Sequence, residues 1–119
     1  MRVIVADDQP DVRSALRLML EEKSDIDMIA EVRTSTELMR QVKSGCPDLI
    51  LLDWELPGIK PGELLILLKT LCPHLMVIAL SSRPQMRQNA LAAGANSFVC
   101  KSDPPELLLT ALNRCYRSG

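Results

Sequence analysis

The sequence of 119 residues has almost no net charge, few aromatic residues and no long hydrophobic run. Its formal net charge is −1, so it offers no electrostatic basis for contact with nucleic acid or with a membrane surface. An apolar run at positions 64–68 is far too short to span a bilayer. The chain starts directly with a strand-like segment, which leaves no room for a signal peptide. These absences predict a cytoplasmic protein with no direct nucleic-acid contact and no membrane association.

Histidine and paired cysteines are equally scarce. The single histidine, His74, follows a proline in a predicted loop and has no partner for chemistry. The cysteines form no Cys-x-x-Cys pair and have no histidine partner; they are Cys46, Cys72, Cys100 and Cys115. This usage predicts reduced, mostly buried thiols.

What the chain does contain is a fivefold alternation of strand-like and helix-like segments. Hydrophobic residues make up 47% of it, enough for the core of one domain over residues 1–119. The predicted strands are residues 2–6, 27–32, 49–52, 76–80 and 97–100. Helices are predicted between and after them, three of them beginning near Pro10, Pro61 and Pro84. Alternating strands and helices predict a doubly wound α/β fold with a five-stranded parallel sheet in the order 2-1-3-4-5.

Chemically useful side chains gather where these predicted strands end. Asp7 and Asp8 follow the first strand, Asp53 the third, Ser81 the fourth and Lys101 the fifth. Taken singly, each has an ordinary explanation, such as capping a helix or starting a turn. In a doubly wound sheet, however, the carboxyl ends of the strands form the ligand crevice. Their coincidence at one edge therefore favours a functional site.

The residue types at this edge suit phosphoryl transfer. Three carboxylates packed together repel one another, so the cluster calls for a cation, and oxygen-only ligands suit Mg²⁺. A carboxylate such as Asp53 can attack phosphorus to form an acyl phosphate. Lys101 and Ser81 would then bind oxygens of the phosphoryl group.

Four segments carry a resemblance to a known family. They are Val5-Ala6-Asp7-Asp8, Leu51-Leu52-Asp53-Trp54-Glu55-Leu56-Pro57-Gly58, Ile78-Ala79-Leu80-Ser81-Ser82 and Phe98-Val99-Cys100-Lys101. Over essentially its whole length the chain resembles the receiver domain of bacterial two-component response regulators, which has a CheY-like fold. The N-terminal half is most similar to receivers of the NarL/FixJ type.

The resemblance implies roles for the acidic residues. Asp53 corresponds to the residue that accepts the phosphoryl group. Asp8, Asp53 and the backbone carbonyl of Glu55 correspond to direct Mg²⁺ ligands, and Asp7 to a ligand that acts through water.

It also implies how the phosphoryl group is held and sensed. Lys101 corresponds to the lysine that bridges to this group, and Ser81 to the hydroxyl that turns toward it. Phe98 corresponds to the aromatic residue whose position follows that hydroxyl. Ser102 stands where many receivers have proline, which leaves the geometry of the Lys101–Ser102 peptide bond open.

The function so implied is a signalling switch that catalyses only its own phosphorylation and dephosphorylation. A sensor histidine kinase would phosphorylate Asp53 in an Mg²⁺-dependent reaction, and the change would pass through Ser81, Phe98 and helix 4. The surface of helix 4, strand 5 and helix 5 would then meet a second copy or an effector domain.

Three other functions compete with this one. A receiver-like interaction module could work without phosphorylation. An aspartate-nucleophile phosphatase would use Glu55 as its general acid, but the chain lacks insertions to hold a substrate. A flavin-binding domain needs a phosphate loop rich in Ser, Thr and Gly after strand 1, where this chain has Asp7-Asp8-Gln9-Pro10.

Overall fold

The computed structural model describes residues 1–118, with side chains described for residues 1–116. Its strands are β1 (Arg2–Ala6), β2 (Asp27–Val32), β3 (Leu49–Asp53), β4 (Met76–Ser81) and β5 (Ser97–Cys100). Its helices are α1 (Pro10–Glu21), α2 (Ser35–Ser44), α3 (Pro61–Leu71), α4 (Arg87–Ala92) and α5 (Pro105–Ser118). The strands are parallel and form one sheet in the order β2-β1-β3-β4-β5. The predicted doubly wound α/β fold is therefore confirmed.

Two apolar cores cover the two faces of the sheet, because alternate strand residues point to opposite sides. One core joins the sheet to α2, α3 and α4, and includes Ile4, Leu38, Ile50, Leu52, Leu64, Leu68 and Phe98. The other joins it to α1 and α5, and includes Val3, Val5, Leu16, Leu20, Leu51, Leu108 and Leu112. All five residues of β3 are buried, as expected for a strand covered on both faces. Among the described helices, none has the length and apolar character needed to cross a membrane.

Two central strands extend one residue beyond their predicted ends. Asp53 is the last residue of β3 and Ser81 the last residue of β4. Strand pairing continues that far because Asp53 stands beside Leu80, and Ser81 beside Cys100. Both side chains are therefore fixed by the sheet itself and not by the loops that follow.

The segment after β4 is less regular than the single helix predicted from Pro84. It consists of a 3-10 turn at Pro84–Met86 followed by α4, which has only six residues. Ala90 is the one residue of α4 that is buried. Gly94 follows the C-cap residue Ala93 and has a φ of 112°, a conformation that favours glycine. Lightly packed elements such as this one open at low cost in free energy.

The prediction of four reduced, mostly buried thiols is wrong for one pair. Cys46 and Cys72 form a disulfide, and Cys46 is exposed. The pair forms because α2 and α3 cover the same face, so the segments that follow them meet at the amino edge with 5.8 Å between the two Cα atoms. A separation of 26 residues concealed this proximity in the sequence. Cys100 and Cys115 are free and buried, as predicted.

Candidate functional site

The predicted acidic residues lie together at the carboxyl edge of the sheet. Asp7, Asp8 and Asp53 each offer a carboxylate oxygen, and these oxygens lie within 4.8 Å of one another. The cluster forms because β1 and β3 are neighbours and Ala6 pairs with Leu52, which brings the next residue of each strand to the same level. Asp7 and Asp53 are buried, whereas Asp8 is exposed.

Helix capping does not explain the first two acids. The N-cap residue of α1 is Gln9, and its side chain makes no capping hydrogen bond. Asp7 accepts the Gln9 backbone N–H through Oδ1 at 2.9 Å. Its Oδ2 atom is buried and lies 2.7 Å from the Lys101 ammonium nitrogen. One ammonium beside three carboxylates leaves the cluster with excess negative charge, which fits a cation such as Mg²⁺.

Lys101 supplies the positive charge of the site. Its Nζ atom lies 2.7 Å from Asp7 Oδ2 and 3.4 Å from Asp53 Oδ1, and it donates a hydrogen bond to Gln9 Oε1 at 3.0 Å. The Lys101 backbone N–H donates to the Ser81 carbonyl at 2.8 Å, which anchors the residue beside β4. The Lys101–Ser102 peptide bond is trans, like all the described peptide bonds.

The surroundings shift the pKa values of the central pair. The pKa of Asp53 is raised to about 6, mainly by burial and also by the nearby Asp7 charge, against the Glu55 N–H and Lys101, which lower it. Burial alone would lower the pKa of Lys101, but its hydrogen bond to Asp7 and the charges of Asp53 and Asp7 raise it on balance. Lys101 therefore stays protonated, whereas burial makes the ionisation of Asp53 unfavourable.

Ser81 lies at the same edge but directs its hydroxyl to Glu55. Ser81 Oγ lies 2.8 Å from Glu55 Oε1 and 3.1 Å from Oε2, and it accepts the Arg83 backbone N–H at 3.0 Å. The Glu55 backbone N–H donates to Asp53 Oδ1 at 2.9 Å. Glu55 therefore contacts the acid at the end of β3 with its backbone and the hydroxyl at the end of β4 with its side chain.

Phe98 lies in the core that also contains Ala90 of α4. Its ring is buried, and the Arg87 guanidinium carbon is 5.1 Å from the ring centroid. A second link to α4 comes from buried Trp54, whose Nε1–H donates to Asn89 Oδ1 at 2.8 Å. The residue that follows Asp53 is thus tied directly to the lightly packed helix.

Three contacts of this site escaped the sequence interpretation. These contacts are the Gln9 amide on Lys101, the Glu55 carboxylate on Ser81 and the Asn89 amide on Trp54, and no motif assigns these three side chains a role. Gln9 and Glu55 do stand within two residues of predicted site residues. That closeness was the one available signal, and for Glu55 it suggested only a backbone ligand or an acid catalyst.

Fold and site together define a doubly wound α/β protein with an acidic pocket and a partly buried lysine at its carboxyl edge. A family model of the response regulator receiver domain matches residues 3–113. The chain therefore belongs to the response regulator receiver domains of two-component systems, a family that binds Mg²⁺ at an acidic pocket. The predicted family is confirmed.

Curated relatives are about twice as long as this chain. It is 31% identical to the transcriptional activator protein ExaE of Pseudomonas putida, over 96% of this chain and 54% of the relative. It is also 31% identical to the nitrate/nitrite response regulator protein NarL of Escherichia coli K12, over 94% of this chain and 53% of the relative. The chain thus spans about half the length of the curated relatives it matches, and these relatives agree with the predicted NarL/FixJ type.

Solved structures show the same fold. RcsB from Salmonella enterica serovar Typhimurium, bound to promoter rprA in the presence of the phosphomimetic BeF3−, matches with a TM-score of 0.90 and 26% identity, over 98% of this chain and 60% of that chain. The signal receiver domain of the putative response regulator NarL from Mycobacterium tuberculosis matches with a TM-score of 0.87 and 23% identity, over 99% and 97% of the two chains. The latter likeness concerns the fold alone.

Proposed function

We propose that this receiver domain is a phosphorylation-driven switch in which Asp53 accepts a phosphoryl group from a sensor histidine kinase. The observation that carries the proposal is the position of Asp53, buried at the end of β3 with Lys101 Nζ at 3.4 Å and two further acids within 4.8 Å. In the transfer, an Asp53 carboxylate oxygen bonds to phosphorus as the bond from phosphorus to the kinase histidine nitrogen breaks. The product is an aspartyl phosphate.

The acidic cluster supports an Mg²⁺ site for this reaction. Asp8, Asp53 and the backbone carbonyl of Glu55 would hold the ion directly, and Asp7 through a water molecule. When bound, the ion neutralises charge on the carboxylates and on the phosphoryl group. Lys101 already lies between Asp7 and Asp53, where it can pair with a phosphoryl oxygen.

The signal would leave the site through Ser81, Phe98 and α4. Phosphorylation adds a charge of about −1.5 to −2 at Asp53, which attracts the Ser81 hydroxyl. The Trp54–Asn89 hydrogen bond offers a second route from Asp53 to α4. Leu91 of α4 and Leu107 of α5 are 41% and 50% exposed, which supports the α4-β5-α5 surface as the contact for a second copy or an effector domain.

The output belongs to a longer protein in this proposal. The relatives are transcriptional regulators about twice as long, and the RcsB structure includes promoter DNA. We place the domain in the cytoplasm with its kinase, without nucleic-acid contacts of its own and without catalysis beyond its own phosphorylation and dephosphorylation. In a reducing cytoplasm the Cys46–Cys72 pair would be a dithiol.

Phosphorylation by a small acyl phosphate tests the proposal. The protein is incubated with Mg²⁺ and acetyl phosphate and examined by intact mass spectrometry, with Asp53→Asn as the test variant. Asp48→Asn is the matched control, since Asp48 flanks the opposite end of β3. We expect one labile adduct in the parent protein and in the control, and none in Asp53→Asn. No adduct at all, or an adduct that survives Asp53→Asn, would favour a receiver-like module that works without phosphorylation.

A further inference from the structure

The geometry points to the Glu55 side chain as a positioning residue that holds the Ser81 hydroxyl away from the phosphoryl site until the phosphoryl group displaces it. The inference rests on the proposed function, because it concerns the same site. It adds a role for the Glu55 carboxylate, which is distinct from the role of its backbone carbonyl in the Mg²⁺ site.

The first step is the proton count at Ser81. A serine hydroxyl has one proton to donate. Here the proton is directed to the Glu55 carboxylate, with Ser81 Oγ 2.8 Å from Oε1 and 3.1 Å from Oε2. Ser81 can therefore donate to a phosphoryl oxygen only after this bond breaks. The Arg83 backbone N–H, which donates to Ser81 Oγ at 3.0 Å, fixes the hydroxyl in the same orientation.

The second step is the anchoring of Glu55. Its backbone N–H donates to Asp53 Oδ1 at 2.9 Å, and the Leu56 N–H donates to the Asp53 carbonyl at 3.1 Å. This turn starts at the phosphoacceptor itself, so the Glu55 side chain has a short, fixed path to the end of β4. Ser81 is fully buried whereas Glu55 is exposed, and a hydrogen bond from a hydroxyl to a charged acceptor is stronger than a neutral one.

The third step is the effect of phosphorylation on this bond. A phosphoryl group on Asp53 adds about −1.5 to −2 charges two residues from Glu55. It repels the Glu55 carboxylate and offers Ser81 a more highly charged acceptor. The hydroxyl then exchanges one anionic acceptor for another. Since breaking the Glu55 bond costs free energy, Glu55 lowers the affinity of the resting protein for phosphoryl-like ligands.

A double-mutant cycle separates this role from simple charge repulsion. The affinity for BeF3− in saturating Mg²⁺ is measured by calorimetry for the parent, Glu55→Ala, Ser81→Ala and the double variant. We expect Glu55→Ala to tighten binding by about five- to tenfold, the size of one charge-assisted hydrogen bond. In the Ser81→Ala background the same change should give a much smaller gain, because only the charge repulsion is then relieved. Glu55→Gln keeps an uncharged acceptor and should give an intermediate gain.

Two outcomes of the cycle would overturn the inference. An unchanged BeF3− affinity in Glu55→Ala would mean that Glu55 does not hold the Ser81 hydroxyl away from the phosphoryl site. A gain of undiminished size in the Ser81→Ala background means that Glu55 acts only through its charge. Glu63→Ala is the matched control, because Glu63 is exposed in the first turn of α3 and makes no hydrogen bond with Ser81. It should leave the affinity unchanged.

The amide resonance of Arg83 gives a readout that needs no ligand. Glu55→Ala frees Ser81 Oγ to rotate, so the Arg83 amide should shift and exchange faster, whereas Glu63→Ala should leave it in place. If Glu55→Ala leaves the chemical shift and exchange rate of the Arg83 amide unchanged, the inference is contradicted even if no variant binds BeF3−. Failure of all the variants to bind BeF3−, together with a shifted Arg83 amide, would instead contradict the proposed function alone.

Discussion

The strand β3 has an aspartate at each end, and the two have opposite surroundings. Asp48 precedes the strand at the amino edge, is exposed, and accepts the Arg2 backbone N–H through Oδ2 at 2.6 Å. Asp53 closes the strand at the carboxyl edge, is buried, and faces two further acids. At the amino edge the aspartate has a hydrogen-bond donor as its partner, whereas at the carboxyl edge three carboxylates lie close together. The comparison shows that an aspartate beside this strand belongs to the candidate site only if it lies at the carboxyl edge of the sheet.

The cations of the two edges differ in the same way. Lys101 is mostly buried and meets Asp7 and Asp53, whereas Arg2 at the amino edge donates to the Cys46 carbonyl at 3.2 Å from an exposed position. Removing Lys101 would leave the buried acids Asp7 and Asp53 without a cation, which destabilises the folded protein. Removing the Arg2 side chain leaves no buried charge unpaired.

The largest effect on stability should come from removing the Lys101 charge. Lys101→Met keeps most of the apolar stem but leaves Asp7 and Asp53 without their cation, which should cost about 3 kcal/mol of unfolding free energy without Mg²⁺. Arg2→Met at the amino edge should cost at most about 0.5 kcal/mol. Urea denaturation in metal-free buffer measures both. Equal losses would mean that the two edges do not differ in their charge pairing.

Reduction of the disulfide tests the amino edge. The bond between Cys46 and Cys72 closes a loop across 26 residues, so its reduction should lower the free energy of unfolding by about 2–3 kcal/mol. BeF3− affinity in Mg²⁺ should stay the same, because the bond lies at the edge opposite the acids. The comparison uses one preparation with and without a phosphine reductant. A changed affinity after reduction would show that the two edges are coupled through α2 and α3.

A smaller effect should appear when the pH is varied without metal. The pKa of Asp53 rises to about 6 on folding from the ordinary 3.8, so between these values the folded protein binds more protons than the unfolded chain. Its ionisation therefore destabilises the folded state above pH 6, and this cost disappears as the pH falls toward 4. Each pKa unit between 3.8 and about 6 corresponds to about 1.4 kcal/mol, so the size is about 2–3 kcal/mol.

The Asp53→Asn variant isolates this contribution from the other carboxyls. Glu31 acts in the opposite direction, since its hydrogen bond with Arg17 lowers the pKa of Glu31. The stability of Asp53→Asn relative to the parent should be greatest near pH 7 and should shrink toward pH 4. Asp48→Asn, measured over the same range, is the control for replacing an exposed aspartate at the other end of β3. A constant difference between Asp53→Asn and the parent would contradict the raised pKa.

The sequence predicted which residues lie at the site better than it predicted their hydrogen bonds. Strand ends follow from runs of apolar residues, and topology brings the ends of neighbouring parallel strands to one edge. This is why Asp53 and not Asp48 was singled out, although both flank the same apolar run. Asp7, Asp8 and Lys101 were predicted at the same edge by the same argument, and the structure brings them together.

What could not be predicted depends on side-chain rotation and on distant segments. The turn of Ser81 toward Glu55 is a choice among rotamers, which no sequence pattern encodes. The Cys46–Cys72 bond joins segments 26 residues apart, and their proximity comes from the packing of two helices on one face. The short α4 follows from weak packing, since its one buried residue is Ala90. In each case tertiary contacts decide between local options of similar free energy.

The smallest predicted effect concerns the link from the carboxyl edge to α4. Asn89→Ala removes the acceptor of the Trp54 Nε1–H bond, which should cost about 1 kcal/mol because the indole is buried while Asn89 is exposed. Asn89→Asp keeps an acceptor oxygen and should restore the stability and the emission of Trp54, the only tryptophan. Gln88→Ala, an exposed neighbour in α4, is the matched control.

Hydrogen exchange of α4 with and without BeF3− then measures the link itself: the change in protection should be smaller in Asn89→Ala than in Gln88→Ala. Equal changes would mean that α4 responds to Asp53 through Ser81 and Phe98 alone.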